Sequence, residues 1–406
     1  MQLEISTGET TVVPVGQNLQ VKPKLCEMEA LCYNVAQRKQ SMNELHLSKC
    51  LVFAFCAGVA FACSLVCGAD ENGASMTPKS GDVCVSTVQD VPGYNSWPMV
   101  QAIGDRLVCA YSRGSAHTIN EGTRGVFART SPDCGKTWTD EVCVVNDPGL
   151  GEVTIGKGMA ADGAMLLWVR NWGKVRRHDL YRSKDGVEWK KIATPPLNPM
   201  PMQITDIFKV DGGSLMSLWF AGSYSNKEGG HSWGTLTSVD GGRTWTQRTV
   251  ESGLAKSEWP TEQSAIHLGN GRILAIARCE SGGKCQFQLT SVDNGVTWKR
   301  DFTNIQDVRE STPSLIYEAK TRTVFNYYYQ RGARKLKCRR ANVDQVFGKA
   351  MSWPQPTVLA EGKEARAYDA GNVNATVSGD VHSLALYTGS TTDTTVFVVT
   401  SPARLP

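Results

Sequence analysis

Two charged residues at the ends of one predicted hairpin are the first candidates for chemistry. In the segment WPTEQSAIHLGNGRILAIARCE, Glu262 opens a strand, and Arg278 ends the return strand after a Gly-Asn-Gly turn. The outer ends of a hairpin lie side by side, so the carboxylate and the guanidinium are predicted to meet. The planar fork of an arginine matches a carboxylate in a bidentate manner. The alternative is an ordinary surface ion pair, which would contribute little.

An octet that returns at nearly constant intervals sets the elements that must position these residues. Its copies are SPDCGKTW from Ser131, the shortened SKDGVEW from Ser183, SVDGGRTW from Ser238 and SVDNGVTW from Ser291. Their first residues are 52, 55 and 53 positions apart. A period of this size indicates one repeated supersecondary unit.

The residue types of the octet predict a turn that joins two strands. The Ser hydroxyl and the Asp carboxylate can accept hydrogen bonds from backbone N–H groups, and Gly supplies the left-handed conformation that closes a tight turn. The Trp then packs back onto the unit. The alternative of a Ca²⁺ site is disfavoured, because such a site needs six to eight oxygen ligands and each octet offers few.

Between the octets the sequence repeats the pattern of a β-hairpin. Turn signals Asp-Gly or Asn-Gly at positions 162, 211 and 270 each precede an apolar run, and a polar loop and the next octet follow. No segment has the pattern of a long amphipathic helix. We therefore expect a ring of small antiparallel sheets whose loops at one end can build a site.

The octets resemble the Asp-box, or BNR, repeat of the sialidase superfamily, whose pattern S-x-D-x-G-x-x-W is complete in three copies. The resemblance implies an all-β fold, a six-bladed β-propeller with the boxes on the rim away from the active centre. Residues 82–406 are long enough for about six units of the observed period.

The resemblance also implies an activity. The segment from Glu262 to Arg278 resembles the Glu-to-Arg segment of sialidases and looks closest to the phage endosialidase branch. Sialidases cleave sialic acid linkages with a tyrosine nucleophile and a glutamate that takes its proton. On this resemblance, Tyr368 in EARAYDAGNVNA is the predicted nucleophile and Glu262 its base.

Sialic acid carries a carboxylate, so its site needs clustered arginines. The resemblance implies that Arg278 and Arg334, in the stretch YYYQRGARKLKCRR, form the carboxylate clamp. Three neighbouring arginines, Arg331, Arg339 and Arg340, are close enough in sequence to take the place of Arg334.

The first unit departs from ordinary exo-sialidases. It has no Arg-Ile-Pro segment, and its loop YSRGSAHTINEGTRG has no Asp to act as the general acid. Arg113 is predicted to replace the first arginine, and His117 or Glu121 to serve as proton donor or substrate contact. Together with Trp97 in NSWPMV, which is predicted to contact substrate, this unit again resembles the endosialidase branch.

The composition suits a soluble, turn-rich chain, with 41% hydrophobic and 20% charged residues, 39 Gly and 11 Trp. A net charge of +4 is too small to indicate nucleic acid as a partner and is compatible with an acidic glycan. The cysteine spacing contains no pair of C-x-x-C motifs, so no zinc site is predicted. We expect no cofactor and no metal.

An uncharged apolar segment, residues 51–67, precedes the repeats. Residues 42–69 are predicted to be an export signal that is cleaved after Ala69, with an uncleaved membrane anchor as the alternative. Residues 1–41 are then an upstream extension and residues 70–81 a linker. Both interpretations place the propeller outside the cytoplasm, as a secreted, periplasmic or extracellular protein.

Seven of the 13 cysteines follow this segment. Cys134 with Cys143, and Cys279 with Cys285, are close enough in sequence to bridge neighbouring strands in an oxidising compartment. Because seven is an odd number, at least one cysteine is expected to stay outside a disulfide.

The sequence therefore predicts a secreted glycoside hydrolase that cleaves sialylated or polysialylated glycans. One alternative is a non-catalytic glycan- or protein-binding Asp-box propeller, since a fold alone does not give a function. The other is a lyase or glycosidase that acts on a different acidic sugar.

Overall fold

The structure, a computed structural model, describes residues 74–117, 124–226, 228–280, 285–308, 311–363 and 369–403. These residues belong to the unit that spans residues 68–406. The predicted upstream extension at 1–41 and the predicted export segment at 42–69 lie outside the described residues. No helix within the described ranges is long and apolar enough to cross a bilayer.

The regular structure of the described residues is nearly all β-strand, which confirms the all-β prediction. The strands are β1 (Ser75–Pro78), β2 (Cys84–Gln89), β3 (Tyr94–Ile103), β4 (Arg106–Gly114), β5 (Arg124–Ser131), β6 (Val142–Val145), β7 (Leu150–Met159), β8 (Met165–Gly173), β9 (Arg177–Ser183), β10 (Lys190–Ala193), β11 (Gln203–Lys209), β12 (Leu215–Ala221), β13 (His231–Ser238), β14 (Thr246–Leu254), β15 (Pro260–Gly269), β16 (Arg272–Cys279), β17 (Gln286–Ser291), β18 (Lys299–Phe302), β19 (Ser314–Glu318), β20 (Thr323–Gln330), β21 (Lys335–Asn342), β22 (Thr357–Lys363), β23 (Asp369–Ser378), β24 (Val381–Gly389) and β25 (Thr394–Pro402). The helical segments are α1 (Val343–Val346) and the 3₁₀ turns Asp211–Gly213, Lys256–Glu258, Arg331–Ala333 and Ala350–Ser352.

Antiparallel pairing divides most of the described strands into six units of four. Five of the units are β3 to β6, β7 to β10, β11 to β14, β15 to β18 and β19 to β22, each joined strand to strand by antiparallel pairing. The sixth is formed by β23, β24 and β25 with β2, which pairs with β25. The first strand of each unit contacts the first strand of the next, and β23 contacts β3. The first strands therefore form the inner edge of the arrangement.

The two N-terminal strands complete units that lie late in the chain. Cys84 of β2 is opposite Thr400 of β25, and Ser75 of β1 is opposite Lys363 of β22. The segment predicted as a linker, residues 70–81, thus contains a strand. The backbone groups of β1 find partners on the edge of β22, which the sequence pattern of β1 alone did not indicate.

The apolar core consists of six separate layers, each lying between two neighbouring units. One layer joins the second and third units around Trp168 and Trp219, and another joins the sixth and first units around Tyr94 and Tyr387. The remaining layers fill the other four boundaries in the same way. Each sheet thus buries both of its faces, and this explains why its central strands read as continuous apolar runs.

The octets form the predicted turns between the third and fourth strands of their units. Ser238 Oγ donates to Asp240 Oδ1 at 2.9 Å and accepts from the backbone N–H of Gly242 at 2.9 Å. Asp240 Oδ1 also accepts from the backbone N–H of Thr244 at 2.9 Å. Trp245 Nε1 then donates to the Gly242 carbonyl at 2.9 Å. The prediction of a strand-joining turn is confirmed for this octet, and the bond from the glycine N–H to the Ser hydroxyl recurs in the other copies.

No disulfide joins the seven cysteines that the structure describes. Cys134 and Cys143 are both exposed and unbridged. Arg278 and Gln286 are paired on neighbouring strands. Cys279 follows Arg278 and Cys285 precedes Gln286, and the two thiols are within hydrogen-bonding contact. The second predicted pair is therefore adjacent in the reduced protein.

Replacing Trp245 by alanine is expected to lower the free energy of unfolding by about 3–5 kcal/mol, because a large buried ring leaves a cavity. Trp245 is 9% exposed, and its ring centroid lies 5.1 Å from that of Trp168. Denaturant unfolding measures the change. Val239→Ala, in the same octet but 86% exposed, is the matched control and should change stability by less than about 0.5 kcal/mol. A loss no larger than that of the control would show that the octet does not hold its two strands together.

Candidate active site

A cavity of about 370 Å³ lies at the end of the units where the first strands begin and the second strands end. The octets follow the third strands and therefore lie at the opposite end. All six units contribute to the lining. Its described residues are Trp97, His117, Val153, Thr154, Ile155, Arg170, Trp172, Gln203, Tyr224, Glu262, Arg278, Arg331, Asn372 and Tyr387. Among them are three guanidinium groups and a single carboxylate, so the described lining favours an anionic ligand.

Backbone bulges bring three of these side chains to the cavity. Near the start of β3, β15 and β23, the first strand contains one more residue than its partner strand across the register shift. Trp97, Glu262 and Asn372 lie in these shifts, with φ of 49°, 46° and 50°. Residues other than glycine rarely adopt this left-handed backbone conformation. A bulge changes the direction of a side chain within a strand, and here the three affected residues line the cavity.

Glu262 is a buried, ionised acceptor. Its side chain receives hydrogen bonds from Arg278 Nη1 at 3.2 Å, Thr312 Oγ1 at 2.5 Å and the Tyr224 hydroxyl at 3.4 Å. Burial raises the pKa of the Glu262 carboxyl, but the charge of Arg278 and the hydrogen bond from Thr312 outweigh burial and hold the pKa below its ordinary value. The carboxylate therefore stays charged inside the cavity.

The predicted meeting of Glu262 and Arg278 is confirmed. Their side chains are 10% and 12% exposed, so the pair is not a surface ion pair. Arg278 Nε also lies 2.8 Å from Glu280 Oε1, and Glu280 accepts from Thr261 Oγ1 at 2.8 Å. Two carboxylates thus share one guanidinium, which fixes its plane beside the cavity.

Arg331, not Arg334, lines the cavity. The 3₁₀ turn Arg331–Ala333 follows β20, and Arg334 caps it in the left-handed conformation with an exposed side chain. Arg331 lies against Gly371, where an added Cβ would be 3.2 Å from Arg331 Nε. Gly371 therefore leaves room for this guanidinium beside β23. Arg331 Nε is a buried donor without a hydrogen-bond partner among the described residues.

The other two arginines of this stretch lie elsewhere. Arg339 pairs with Asp307 at 2.6 Å and is buried within the fifth unit. Arg340 is exposed and lies over the Phe325 ring, 5.8 Å from its centroid.

Arg170 is a third cavity arginine that the sequence analysis missed. Its Nη1 donates to the Met202 carbonyl at 2.8 Å, and its buried Nε has no partner among the described residues. Burial lowers the pKa of Arg170 to about 10, which still leaves the guanidinium charged at neutral pH. Arg170 lies near the end of β8, as Arg278 lies near the end of β16. An apolar run that ends in Arg was therefore the signal that would have found it.

The first unit supplies aromatic rather than cationic lining. Arg113 pairs with Glu141 at 2.5 Å and is not among the cavity residues. Trp97 does line the cavity, and the guanidinium of the buried Arg124 lies 4.7 Å from its ring centroid. Arg124, absent from the sequence prediction, supports the indole from behind through a cation–π contact.

His117 reaches the cavity, and its Nδ1 lies 2.6 Å from Asp369 Oδ2. The other two predicted catalytic residues, Glu121 and Tyr368, lie outside the described residues, and their roles stay predictions. Tyr224 is a cavity tyrosine that the sequence analysis did not single out. Burial raises the pKa of its hydroxyl well above the ordinary value, with the charge of Glu262 adding to the effect.

Three solved structures show what this chain is similar to. The first is a protein of unknown function from Dyadobacter fermentans, with 17% identity, a TM-score of 0.63 and coverage of 79% of this chain and 99% of that one. The second is the Hadza microbial sialidase Hz136, with 15% identity, a TM-score of 0.60 and coverage of 76% and 66%. The third is the phage phi92 endosialidase, with 10% identity, a TM-score of 0.60 and coverage of 80% and 70%.

This chain therefore has a sialidase-like fold, which confirms the resemblance found in the octets. It spans slightly less than two thirds of the length of the microbial sialidase. No protein-family model and no curated protein sequence matches the chain. At these identities the similarity concerns the fold alone.

Behind the cavity wall, Glu152 is a fully buried carboxyl next to the lining residue Val153. Both of its oxygens lie 3.2 Å from the backbone nitrogen of Asp147. Burial raises the pKa of the Glu152 carboxyl to about 7. Between about pH 4, where an unfolded glutamate titrates, and pH 7, the folded protein holds a proton that the unfolded chain releases. Folding stability from this group is therefore present at low pH and lost as pH rises through this window.

Glu152→Gln is expected to remove this pH dependence, because the amide stays neutral and can still accept from the Asp147 N–H. Relative to the wild type, the variant should gain up to about 3 kcal/mol between pH 4 and pH 8. Denaturant unfolding across this range measures the difference. The exposed Glu188 of the same unit provides the matched control, Glu188→Gln. A stability difference that stays constant with pH would mean that Glu152 ionises normally.

Proposed function

We propose that this chain is a secreted, six-bladed propeller glycoside hydrolase that cleaves sialic acid or a related acidic sugar from glycans. The observation that carries the proposal is the cavity in which three guanidinium groups surround the single described carboxylate and a tyrosine hydroxyl lies beside that carboxylate. The sialidase-like fold supports the same substrate class. Secretion rests on the apolar sequence pattern of residues 51–67, and the blade count is supported by the six antiparallel units and the six apolar layers between them.

The substrate carboxylate would bind to the cavity arginines that are not paired with a carboxylate among the described residues. Arg331 and Arg170 line the cavity and form no ion pair with a described carboxylate, whereas Arg278 is already engaged by Glu262 and Glu280. A bound carboxylate would complete the hydrogen bonding of these guanidiniums, and charge-assisted bonds of this kind are among the stronger ones in proteins. Trp97 and Trp172, both partly exposed, offer flat faces for the sugar ring.

The chemical step would use a tyrosine oxygen as nucleophile. The tyrosine attacks the anomeric carbon while Glu262 takes its proton, and the glycosidic bond breaks as His117 protonates the leaving oxygen. Water then replaces the tyrosine with the proton transfers reversed. Tyr368 stays the predicted nucleophile from the sequence. Tyr224 is the alternative, because its hydroxyl already donates to Glu262.

A glycan-binding module without catalysis is the second candidate. It is favoured by the hydrogen bonds that occupy Glu262, since a carboxylate whose pKa is lowered is a weak base. Release of monomeric sialic acid from sialosides, or of oligomers from polysialic acid, supports the hydrolase. Binding of these glycans without any release supports the module.

Glu262→Gln is expected to lower kcat by about 10²–10⁴ with little change in ground-state binding, because it keeps the shape of the side chain but removes the base. Turnover of an aryl sialoside and calorimetric binding of sialic acid measure the two effects. Glu280→Gln is the matched control, since it loosens Arg278 without removing the cavity carboxylate. It should raise KM more than it lowers kcat. Wild-type turnover by Glu262→Gln would exclude Glu262 as the base.

Arg331→Gln is expected to weaken sialoside binding about 10–100-fold, because it removes a charge-assisted contact. Arg334→Gln makes the same chemical change three residues along, outside the cavity lining, and should leave binding within about twofold of wild type. Titration of both variants with sialic acid compares them directly. The opposite ranking would restore Arg334 as the clamp residue.

A further inference from the structure

Two side chains converge on one carboxylate oxygen of a third at the edge of the cavity. Asp369 Oδ2 lies 2.6 Å from His117 Nδ1 and accepts from the Tyr94 hydroxyl at 2.5 Å. The Tyr94 hydroxyl and His117 Nδ1 are themselves 2.7 Å apart. Tyr94 is the first residue of β3, Asp369 is the first residue of β23, and His117 follows β4. Neither the octets nor the Glu262 hairpin accounts for this cluster.

Burial separates the three residues into a fixed support and an accessible group. Tyr94 is fully buried, and the Asp369 side chain is 11% exposed. The His117 side chain is 51% exposed and lines the cavity. The backbone N–H of His117 donates to the Thr391 carbonyl at 2.8 Å, which holds the loop at this point. The buried Tyr94 and Asp369 side chains therefore hold the exposed imidazole of His117 in place.

The carboxylate decides which nitrogen of His117 carries a proton. Burial raises the pKa of Asp369, but the hydrogen bonds from His117 and Tyr94 outweigh burial and keep the pKa below its ordinary value. An ionised Asp369 only accepts, so Nδ1 must donate to it. The other ring nitrogen, Nε2, is then available to a ligand in the cavity, and it makes no hydrogen bond with any residue that the structure describes.

Three further groups lie close to this cluster. The Tyr387 hydroxyl of β24 lies 3.4 Å from the Tyr94 hydroxyl. The Arg124 guanidinium of β5 lies over the Tyr94 ring, 5.3 Å from its centroid. Arg331 adds a positive charge that also favours the ionised form of Asp369. The Arg331 charge thus helps to keep Asp369 ionised, and burial raises the pKa of the Tyr94 and Tyr387 hydroxyls and keeps them neutral.

We infer that Asp369 and Tyr94 are positioning residues that hold His117 with Nε2 available as the proton donor to the leaving group. This inference rests on the proposed function and adds to it the residues that orient the acid. When the glycosidic C–O bond breaks, the proton on Nε2 of the imidazolium passes to the departing oxygen, and a neutral imidazole with its proton on Nδ1 remains. In the second step, a proton from the attacking water returns to Nε2. Asp369 stays ionised throughout and touches no reacting atom.

A comparison of leaving groups tests this inference. A sugar leaving group needs a proton, whereas 4-nitrophenolate leaves without one, so the loss of an oriented acid affects the first substrate selectively. We expect Asp369→Asn to lower kcat on a sialyl-lactose substrate by about 10²–10⁴ and on 4-nitrophenyl sialoside by less than about tenfold. A purely structural role would lower both rates by the same factor.

Two further variants keep the test decisive. His117→Ala should show the same selective loss, and the Asp369→Asn/His117→Ala double variant should be no slower than His117→Ala alone, because the two residues act as one unit. Tyr94→Phe retains the ring packing and removes one donor to Asp369. It should give a smaller loss with the same dependence on the leaving group. If thermal unfolding shows that Asp369→Asn is not folded, Tyr94→Phe replaces it in the test.

Equal losses on both substrates in folded variants would overturn the inference while leaving the proposed function in place. Multiplicative losses in the double variant would overturn it in the same way. A wild-type protein that cleaves neither substrate would overturn the proposed function and this inference with it.

Discussion

The cavity depends on a backbone conformation that proteins normally avoid. Side chains along a strand alternate between the two faces of the sheet, and in this fold both faces are filled by the apolar layers between units. A side chain within a strand can turn toward the cavity where an extra residue interrupts that alternation. Trp97, Glu262 and Asn372 do so in a left-handed conformation, which costs roughly 1–2 kcal/mol for each residue. The packing free energy of the six apolar layers offsets this strain, so the strained backbone at the site depends on the packed sheets around it.

Charge balance is the second property that follows from this placement. Burying the Glu262 carboxylate is tolerable because Arg278, Thr312 and Tyr224 replace the hydration that it loses. The remaining cationic groups, Arg170 and Arg331, are not compensated to the same degree among the described lining residues. A cavity built in this way holds a positive potential in a partly dehydrated space, where attraction to an anion is stronger than on the protein surface.

The parts of the site that were predictable are those encoded locally. Glu262 and Arg278 are joined by one short hairpin, so their meeting follows from the turn between them. Arg170, at the end of an apolar run like Arg278, was readable in the same way but was not recognised. The choice between Arg331 and Arg334 depends on a 3₁₀ turn that no octet marks. The contact between His117 and Asp369 spans 252 positions and joins the first and sixth units, so it depends on the contact of β23 with β3, which no local pattern marks.

The pairing of β2 with β25 has a consequence for how the chain reaches this state. Ser86 and Val398, which meet in that sheet, are 312 positions apart. The pairing edge of β2 therefore has no partner until β25, 312 positions later for these two residues, has been synthesised. Until β2 pairs with it, the free edge of β25 is open to a strand from a second molecule. The sixth unit therefore gains its fourth strand only after β25 has formed, and the chain is most exposed to misassociation just before this step.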